Sequence, residues 1–367
     1  GYFLGKFLGG GDLRDTAVID RAFRRYEETR IDYVNGHIAH ARRLGRMIHN
    51  VPHFAGVVRN LVFRHTSFIR KSLERGYLED AIKEAYTRLD ARKKKGNLEY
   101  SGLPTGFIEL DTLTAGFQES ELIIVAARPS VGKTAFALNI LRHMTVEENI
   151  PALFVSLEQS RVEIAERMLC NQARIKSDRL RKGHLGLDEQ DKLHAGADAL
   201  SHAKLFIDDT PGQNMLRIAA NARRLKLRHK IRTVVIDYLQ LIDPDLKSRE
   251  SRQEQVAAIS RRLKFLAREL KIPVIALAQV NRSSEDRTDH RPRLSDLRES
   301  GAIEQDADTV IMLHRPEYHE PGQYEGVLEV IVAKQRNGPT GKVELMFEKE
   351  FMRFVNKAPD VSGGFGG

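Results

Sequence analysis

The stretch Ala127-Arg128-Pro129-Ser130-Val131-Gly132-Lys133-Thr134 constrains this chain more than any other. It follows the apolar run Leu122 to Ala126 and opens the helix-like run Ala135 to Met144. A strand that turns tightly into a helix N-terminus aims backbone N–H groups at phosphate oxygens. The Lys then reaches the β/γ-phosphates, and the hydroxyl ligates Mg²⁺. The stretch therefore reads as a P-loop, with Arg128, Ser130, Gly132, Lys133 and Thr134 as candidate nucleotide contacts and Thr134 as a candidate magnesium ligand. Ala127 stands where the strict pattern has its first Gly.

From Leu103 onward, short apolar runs alternate with longer amphipathic ones, the texture of an α/β fold with a mainly parallel central sheet flanked by helices. The strand candidates are Leu122 to Ala126, Ala152 to Ser156, Leu205 to Ile207, Thr233 to Asp237, Val274 to Ala278, Thr309 to Leu313, Leu328 to Ala333 and Val343 to Phe347. Ligands of open α/β sheets bind outside the carboxyl ends of the strands, and several chemically useful residues stand at those ends. Glu158, after the second strand, can orient and deprotonate an attacking water, or simply cap the next helix. The run Thr233-Val234-Val235-Ile236-Asp237 is apolar up to a terminal carboxylate, the Walker B arrangement, about a hundred residues after the P-loop. Asp237 is thus a second candidate for holding Mg²⁺, directly or through water. Gln279 ends a further strand, where an uncharged amide can hydrogen-bond a γ-phosphate and lose that partner after hydrolysis.

Lys334-Gln335-Arg336-Asn337-Gly338-Pro339-Thr340-Gly341 places two cations just before a Gly/Pro turn between strands. A hairpin tip can project from its own subunit. Lys334 and Arg336 would stabilise transition-state charge if they entered the next subunit's site, and without an oligomer they are solvated loop charges. Between Arg291 and Asp308 the chain is polar and mixed in charge around Gly301; Arg298 and the nearby backbone amides can meet a DNA phosphate, which positions a strand without reading its sequence.

A chain of 367 residues accommodates roughly two domains. Its apolar runs are far shorter than the roughly 20 residues that cross a bilayer, so a soluble protein with no membrane partner is expected. The single cysteine, Cys170, excludes an internal disulfide and a multi-cysteine zinc site, and reads as a small buried hydrophobe. The formal charge of +9 is concentrated near the N-terminus. Residues 1 to 100 hold 20 Lys/Arg against 12 Asp/Glu, whereas residues 101 to 367 hold 39 against 38. A basic block between Asp32 and Glu74 suits nucleic acid or another polyanion, or else a solvated helical surface.

Residues 1–76 read as a helical N-terminal region. In 77–100, Leu78, Ala81, Ile82, Ala85, Tyr86 and Leu89 form a one-sided apolar stripe at helical spacing, and Arg92 to Gly96 form a basic linker. Residues 101–358 then read as the α/β domain and 359–367 as a Gly-rich flexible tail. The chain opens on Gly1 rather than Met, as expected of a segment of a longer or processed chain.

Leu103-Pro104-Thr105-Gly106-Phe107, the P-loop, Ser156-Leu157-Glu158, Val235-Ile236-Asp237-Tyr238-Leu239-Gln240, the Asp296 to Asp306 segment and Lys334 to Gly341 together resemble the C-terminal motor domain of DnaB-type replicative DNA helicases, from about residue 100 to 355. The family shares Ala at the first P-loop position. The resemblance implies a RecA-like ATPase that uses ATP and Mg²⁺, assembles as a homo-hexameric ring around one DNA strand, and moves 5′ to 3′ at the replication fork. It further implies Lys133 and Thr134 as phosphate and Mg²⁺ contacts, Glu158 as the catalytic carboxylate, Asp237 as the Walker B acid, and Gln279 as the nucleotide sensor. Lys334 and Arg336 would act across the subunit interface, and Arg298, Glu299 and Gly301 would form the central-channel DNA loop. Leu78 to Leu89 occupies the place of the family's linker helix, which docks on the adjacent motor domain. The implied partners are single-stranded and forked DNA, a helicase loader and primase, in the cytoplasm at the nucleoid. The first 70 residues do not resemble the family's N-terminal domain. A RecA/RadA-type recombination ATPase and a nucleotide-dependent assembly scaffold are the competing readings; RadA-like chains carry an N-terminal four-cysteine zinc element, whereas this chain has one Cys.

Overall fold

The computed structural model describes residues 101–244, 251–281, 287, 289–319 and 322–357, together with Ile82. The chain divides into two units, Gly1–Lys94 and Lys95–Gly367, and the described residues lie almost wholly in the second. The expected N-terminal region, the linker and the Gly-rich tail fall outside the described residues, except that Ile82 of the apolar stripe is helical.

The unit is built on a nine-stranded sheet in the order β3-β2-β4-β5-β1-β6-β7-β8-β9. The strands are β1 (Leu122–Ala127), β2 (Ala152–Ser156), β3 (Leu205–Asp208), β4 (Thr233–Asp237), β5 (Val274–Gln279), β6 (Thr309–His314), β7 (Val327–Gln335), β8 (Gly341–Glu348) and β9 (Arg353–Asn356). The strands from β3 through β6 pair in parallel, and β7, β8 and β9 add an antiparallel edge. All eight expected strands form. β9 is an addition to them, because Arg353-Phe354-Val355-Asn356 is short and half polar and gives no strand signal of its own.

Among the described residues from 101 onward, the α-helices are α1 (Ile108–Thr114), α2 (Lys133–Arg142), α3 (Arg161–Ala173), α4 (Ser177–Lys182), α5 (Leu187–His202), α6 (Met215–His229), α7 (Arg252–Leu270) and α8 (Gly301–Asp306). α2 starts two residues before the expected helix and widens into a π turn over His143–Glu147, which lets Glu147 pair with Arg142 at 2.6 Å.

Successive residues of a strand point to opposite faces of the sheet, and here both faces are apolar. Leu122, Ile124 and Ala126 of β1 join one core with α6 and α7, while Ile123, Val125 and Ala127 join a second core with α1, α2 and α3. That explains the continuous apolar runs in the central strands, as expected of parallel strands covered on both faces. Cys170 is buried and unbonded in α3, and burial raises its thiol above the ordinary range.

One buried amide ties the antiparallel edge to the P-loop helix. Asn139 of α2 donates to the carbonyls of Ala135 (2.7 Å) and Met352 (3.0 Å), and its Oδ1 accepts from Asn171 (2.8 Å) and from the Phe354 N–H (3.0 Å). With Asn139 4% exposed, water cannot replace these partners. Replacing Asn139 by Leu strands the Phe354 N–H, while the Met352 carbonyl keeps its second donor, Asn171 (3.0 Å). The change should cost about 1–3 kcal/mol, read as a lowered thermal midpoint of the full chain. An unchanged midpoint would show that the network contributes nothing.

Candidate nucleotide-binding site

The P-loop leaves the carboxyl end of β1, where β5 lies on one side and β6 on the other. Ala127 is the last residue of β1, paired with Gln279 and Leu313, so a side chain is tolerated there. Gly132, by contrast, has φ of 110°, a value L side chains rarely adopt, and an added Cβ would lie 3.3 Å from the Phe354 ring. No side chain caps α2 at Gly132, which leaves first-turn N–H groups for an anion.

Behind this turn stands Asp237, fully buried at the end of β4. The Thr134 hydroxyl donates to its Oδ2 at 2.6 Å, and Lys133 Nζ lies 3.7 Å from Oδ1 and 4.2 Å from the centre of the Tyr238 ring. Burial pulls the Lys133 ammonium below its ordinary value, against the opposing pull of Asp237 and Glu158. Burial also raises the Tyr238 phenol. Oδ1 of Asp237 is buried without a hydrogen-bond partner. A buried, unsatisfied carboxylate oxygen beside a hydroxyl is a donor set of the oxygen type that Mg²⁺ prefers, so these residues fit that ion.

The Leu157 N–H donates to the Asp237 carbonyl at 2.8 Å, which brings Glu158, exposed at the end of β2, to the same rim. Gln279 closes the floor. Its N–H donates to Gln240 Oε1 (3.3 Å) while Gln240 Nε2 donates to its carbonyl (3.1 Å), so the end of β5 is held to the loop after β4. Arg128 ties the P-loop to the same region through the Val280 carbonyl at 3.2 Å. Arg128, Ser130, Gly132, Lys133, Thr134, Glu158 and Gln279 line one cleft of about 590 Å³, with Asp237 buried behind Thr134.

One wall of this cleft was missed in the sequence. Arg315, Tyr318, Phe347 and Lys349 complete it, with the Arg315 guanidinium 4.8 Å from the Tyr318 ring centre and 4.9 Å from that of Phe347. The Tyr318 hydroxyl donates to the Ser130 carbonyl at 3.2 Å, bracing the P-loop. Arg315 directly follows β6, so the strand-end rule alone would have flagged it.

Lys334 and Arg336 are not brought to the cleft. Lys334 pairs with Val310 near the start of β6, and Arg336 lies beside Asp308, whose N–H donates to the Leu122 carbonyl at the opposite end of β1. Five strand steps of about 3.3 Å put this corner roughly 17 Å from Ala127. Arg298 and Glu299 lie in a 3₁₀ stretch, Leu294–Ser300, and Gly301 begins α8; nothing is described of the side chains of 298–301.

The fold and cleft define a RecA-like P-loop NTPase. Residues 102–356 match the family described as DnaB-like helicase C terminal domain, and the chain belongs to that family. It is 48% identical over 280 residues to the replicative DNA helicase DnaB of Geobacillus stearothermophilus, a match covering 76% of this chain and 62% of that one. It is 46% identical over 281 residues to the replicative DNA helicase DnaC of Bacillus subtilis (strain 168), again covering 76% and 62%. The chain thus spans about 62% of the length of these relatives. A DnaB-like replicative helicase, whose structure was described with its interactions with primase, superposes with a TM-score of 0.69 at 32% identity, over 94% of this chain and 80% of its own. A second solved structure, an isolated ATPase domain, gives 0.72 at 37% identity, covering 78% of this chain and 100% of that domain. Among the described residues, no helix is long and apolar enough to cross a membrane.

A smaller cavity of about 280 Å³ adjoins the P-loop and is lined in part by His290, His314 and His319. The His290 and His319 rings stack at 4.0 Å, and those of His314 and His319 at 5.8 Å. Burial pushes His314 down to about 4; cross-strand Glu329 opposes this, while His319, Arg291 and His290 add to it. A folded pKa below the unfolded value of 6.5 means that this stability is present above about pH 6.5 and is lost as pH falls toward 4. The chain should lose roughly 1–2 kcal/mol from this group between pH 7 and pH 5. His314→Gln should flatten that part of the pH slope in thermal unfolding, and an unaltered slope would remove His314 as its source.

Proposed function

We propose that this chain is the motor of an ATP-driven replicative DNA helicase, moving 5′ to 3′ on single-stranded DNA as a homo-hexameric ring and separating strands at the fork. The observation that carries it is the division of the catalytic set. Lys133, Thr134, Glu158, Asp237 and Gln279 gather at one end of the sheet, while Lys334 and Arg336 lie at the other. Two cations so far from their own cleft can serve a phosphate only in the cleft of another copy, which a ring supplies.

In this reading the α2 N-terminus and Lys133 hold the β/γ-phosphates of ATP. Thr134 and Asp237 hold Mg²⁺, which when bound neutralises charge on the transferring phosphoryl group. Glu158 orients a water for in-line attack on the γ-phosphorus and accepts its proton. Gln279 donates from its amide to the γ-phosphate, and its backbone bonds to Gln240 pass loss of that contact to the loop after β4. Arg298, Glu299 and Gly301 meet the DNA backbone in the central channel. Primase is its partner by likeness to the solved helicase described with primase, a loader is expected from the family resemblance alone, and it works in the cytoplasm at the nucleoid.

Strand displacement on forked DNA, with ATP and Mg²⁺, tests the reading. Wild type should need a 5′ tail, and Glu158→Ala should lose roughly 10²–10⁴-fold in rate. Hydrolysis without displacement, under conditions where the ring is loaded, would point to a recombination ATPase. Arg336→Ala should still bind ATP but lose hydrolysis by about 10³-fold or more. Rings mixed from wild-type and Arg336→Ala subunits should lose activity out of proportion to the variant fraction, and a strictly linear decline would refute action in trans.

A further inference from the structure

Lys334 and Arg336 do not hang free at their hairpin. Both hold the C-terminal turn of α8 and the two residues that follow it. Lys334 Nζ donates to the carbonyls of Glu304 (2.5 Å) and Ala307 (2.8 Å). Arg336 donates through Nη2 to the Gln305 carbonyl (2.5 Å), through Nη1 to Asp308 Oδ1 (3.4 Å), and through its backbone N–H to the Asp308 carbonyl (2.9 Å). The last carbonyls of a helix lack intrahelical donors and carry the negative end of its dipole, so cations there satisfy both. A register shift between Val310 and Ile311 leaves Ala333 as an extra residue just before Lys334, a bulge of the kind that re-aims a neighbouring side chain.

Asp308 is the fixed point of this corner. It is 5% exposed; its Oδ2 accepts from the Leu122 N–H (2.7 Å) and from Lys264 Nζ (2.5 Å), and its own N–H donates to the Leu122 carbonyl (2.9 Å). Asp308 is thereby locked to the start of β1 and to α7, and it offers its remaining oxygen to Arg336. The other end of α8 is Gly301, at the edge of the segment assigned to DNA. α8 is six residues long, about 9 Å of helix, too short to absorb a displacement by bending.

We infer that Asp308 is a positioning residue for Arg336, and that the C-terminal turn of α8 ties the two trans-acting cations to the DNA-contacting segment, so that a strand in the channel resets their placement. This rests on the proposed helicase function. Lys264 and Arg336 share the carboxylate of Asp308, so Asp308→Asn keeps its shape but deprives both of their counter-charge. The Asn amide has one acceptor oxygen where Asp308 uses two; with that oxygen kept by the Leu122 N–H and Lys264, Arg336 retains only the Gln305 carbonyl and its own N–H bond to hold its orientation.

The test is steady-state hydrolysis by the full chain, with and without saturating oligo-dT, for wild type, Asp308→Asn, Arg336→Ala and the double variant. Asp308→Asn should lower the DNA-stimulated kcat roughly tenfold, the rate equivalent of one charge-assisted hydrogen bond, with KM for ATP changed less than about twofold. The double variant should be no slower than Arg336→Ala alone, because residues acting through one another are not additive. Additive losses, or an unchanged kcat in Asp308→Asn, would overturn the inference while leaving the helicase reading intact. Wild-type hydrolysis in Arg336→Ala would instead overturn the trans assignment itself, and the inference with it. A second measurement needs no variant. The Arg336 amide should change its hydrogen-exchange rate by at least about threefold when wild type binds oligo-dT without nucleotide; no change there would overturn the coupling even if Asp308→Asn fails to fold.

Discussion

A strand that is apolar on both faces must be covered on both faces, and β1 imposes that condition on the whole domain. Its six residues are at most 1% exposed, alternating between a core shared with α6 and α7 and one shared with α1, α2 and α3. β1 is flanked by β5 and β6 rather than by its sequence neighbour β2, so the chain leaving it must pass over β5 and β4 before rejoining the sheet. That crossing opens the crevice at the carboxyl ends of the strands where open α/β sheets hold ligands. The P-loop occupies it because hydrophobic burial leaves β1 no other place to end.

Within the crevice the balance of charge is close. Lys133 gives up hydration on entering the cleft, and Asp237 and Glu158 return part of that cost. Asp237, wholly buried, has one oxygen committed to Thr134 and the other facing Lys133 beyond hydrogen-bond distance. An unsatisfied buried carboxylate oxygen costs free energy that a bound cation recovers. The site thus holds its cation and its carboxylates in place before any phosphate arrives, the electrostatic preorganisation that phosphoryl transfer relies on.

Much of this was legible in the sequence because it depends on local pattern. The P-loop, the apolar run ending in Asp237, and the strand ends at Glu158 and Gln279 each follow from period and position alone. β9 and the Arg315–Phe347 wall were not legible, for a physical reason. β9 is held by the Asn139 amide and by β8, partners far away in the chain, and not by an alternating apolar pattern of its own. Phe347 and Lys349 reach the cleft only because the antiparallel edge folds back over α2. The hairpin of Lys334 and Arg336 was legible as a turn. That its cations hold α8 was not, since backbone carbonyls leave no mark in a sequence.

β6 joins the two ends of this arrangement. All six of its residues are buried, His314 at one end leading into Arg315 and the cleft, and Thr309 at the other following Asp308 and the cation pair. A strand packed on both faces at interior density neither stretches nor bends at small cost. Asp308, locked to β1 and α7, therefore holds one end of β6, and the cleft wall at its other end stands in a fixed relation to the cation pair. In a ring, each subunit would then present to its neighbour a pair of cations whose placement is fixed by the same strand that carries the wall of its own nucleotide cleft. In such a ring this continuity would couple adjacent sites, because the strand that carries the wall of one cleft also carries the cations that would complete the next.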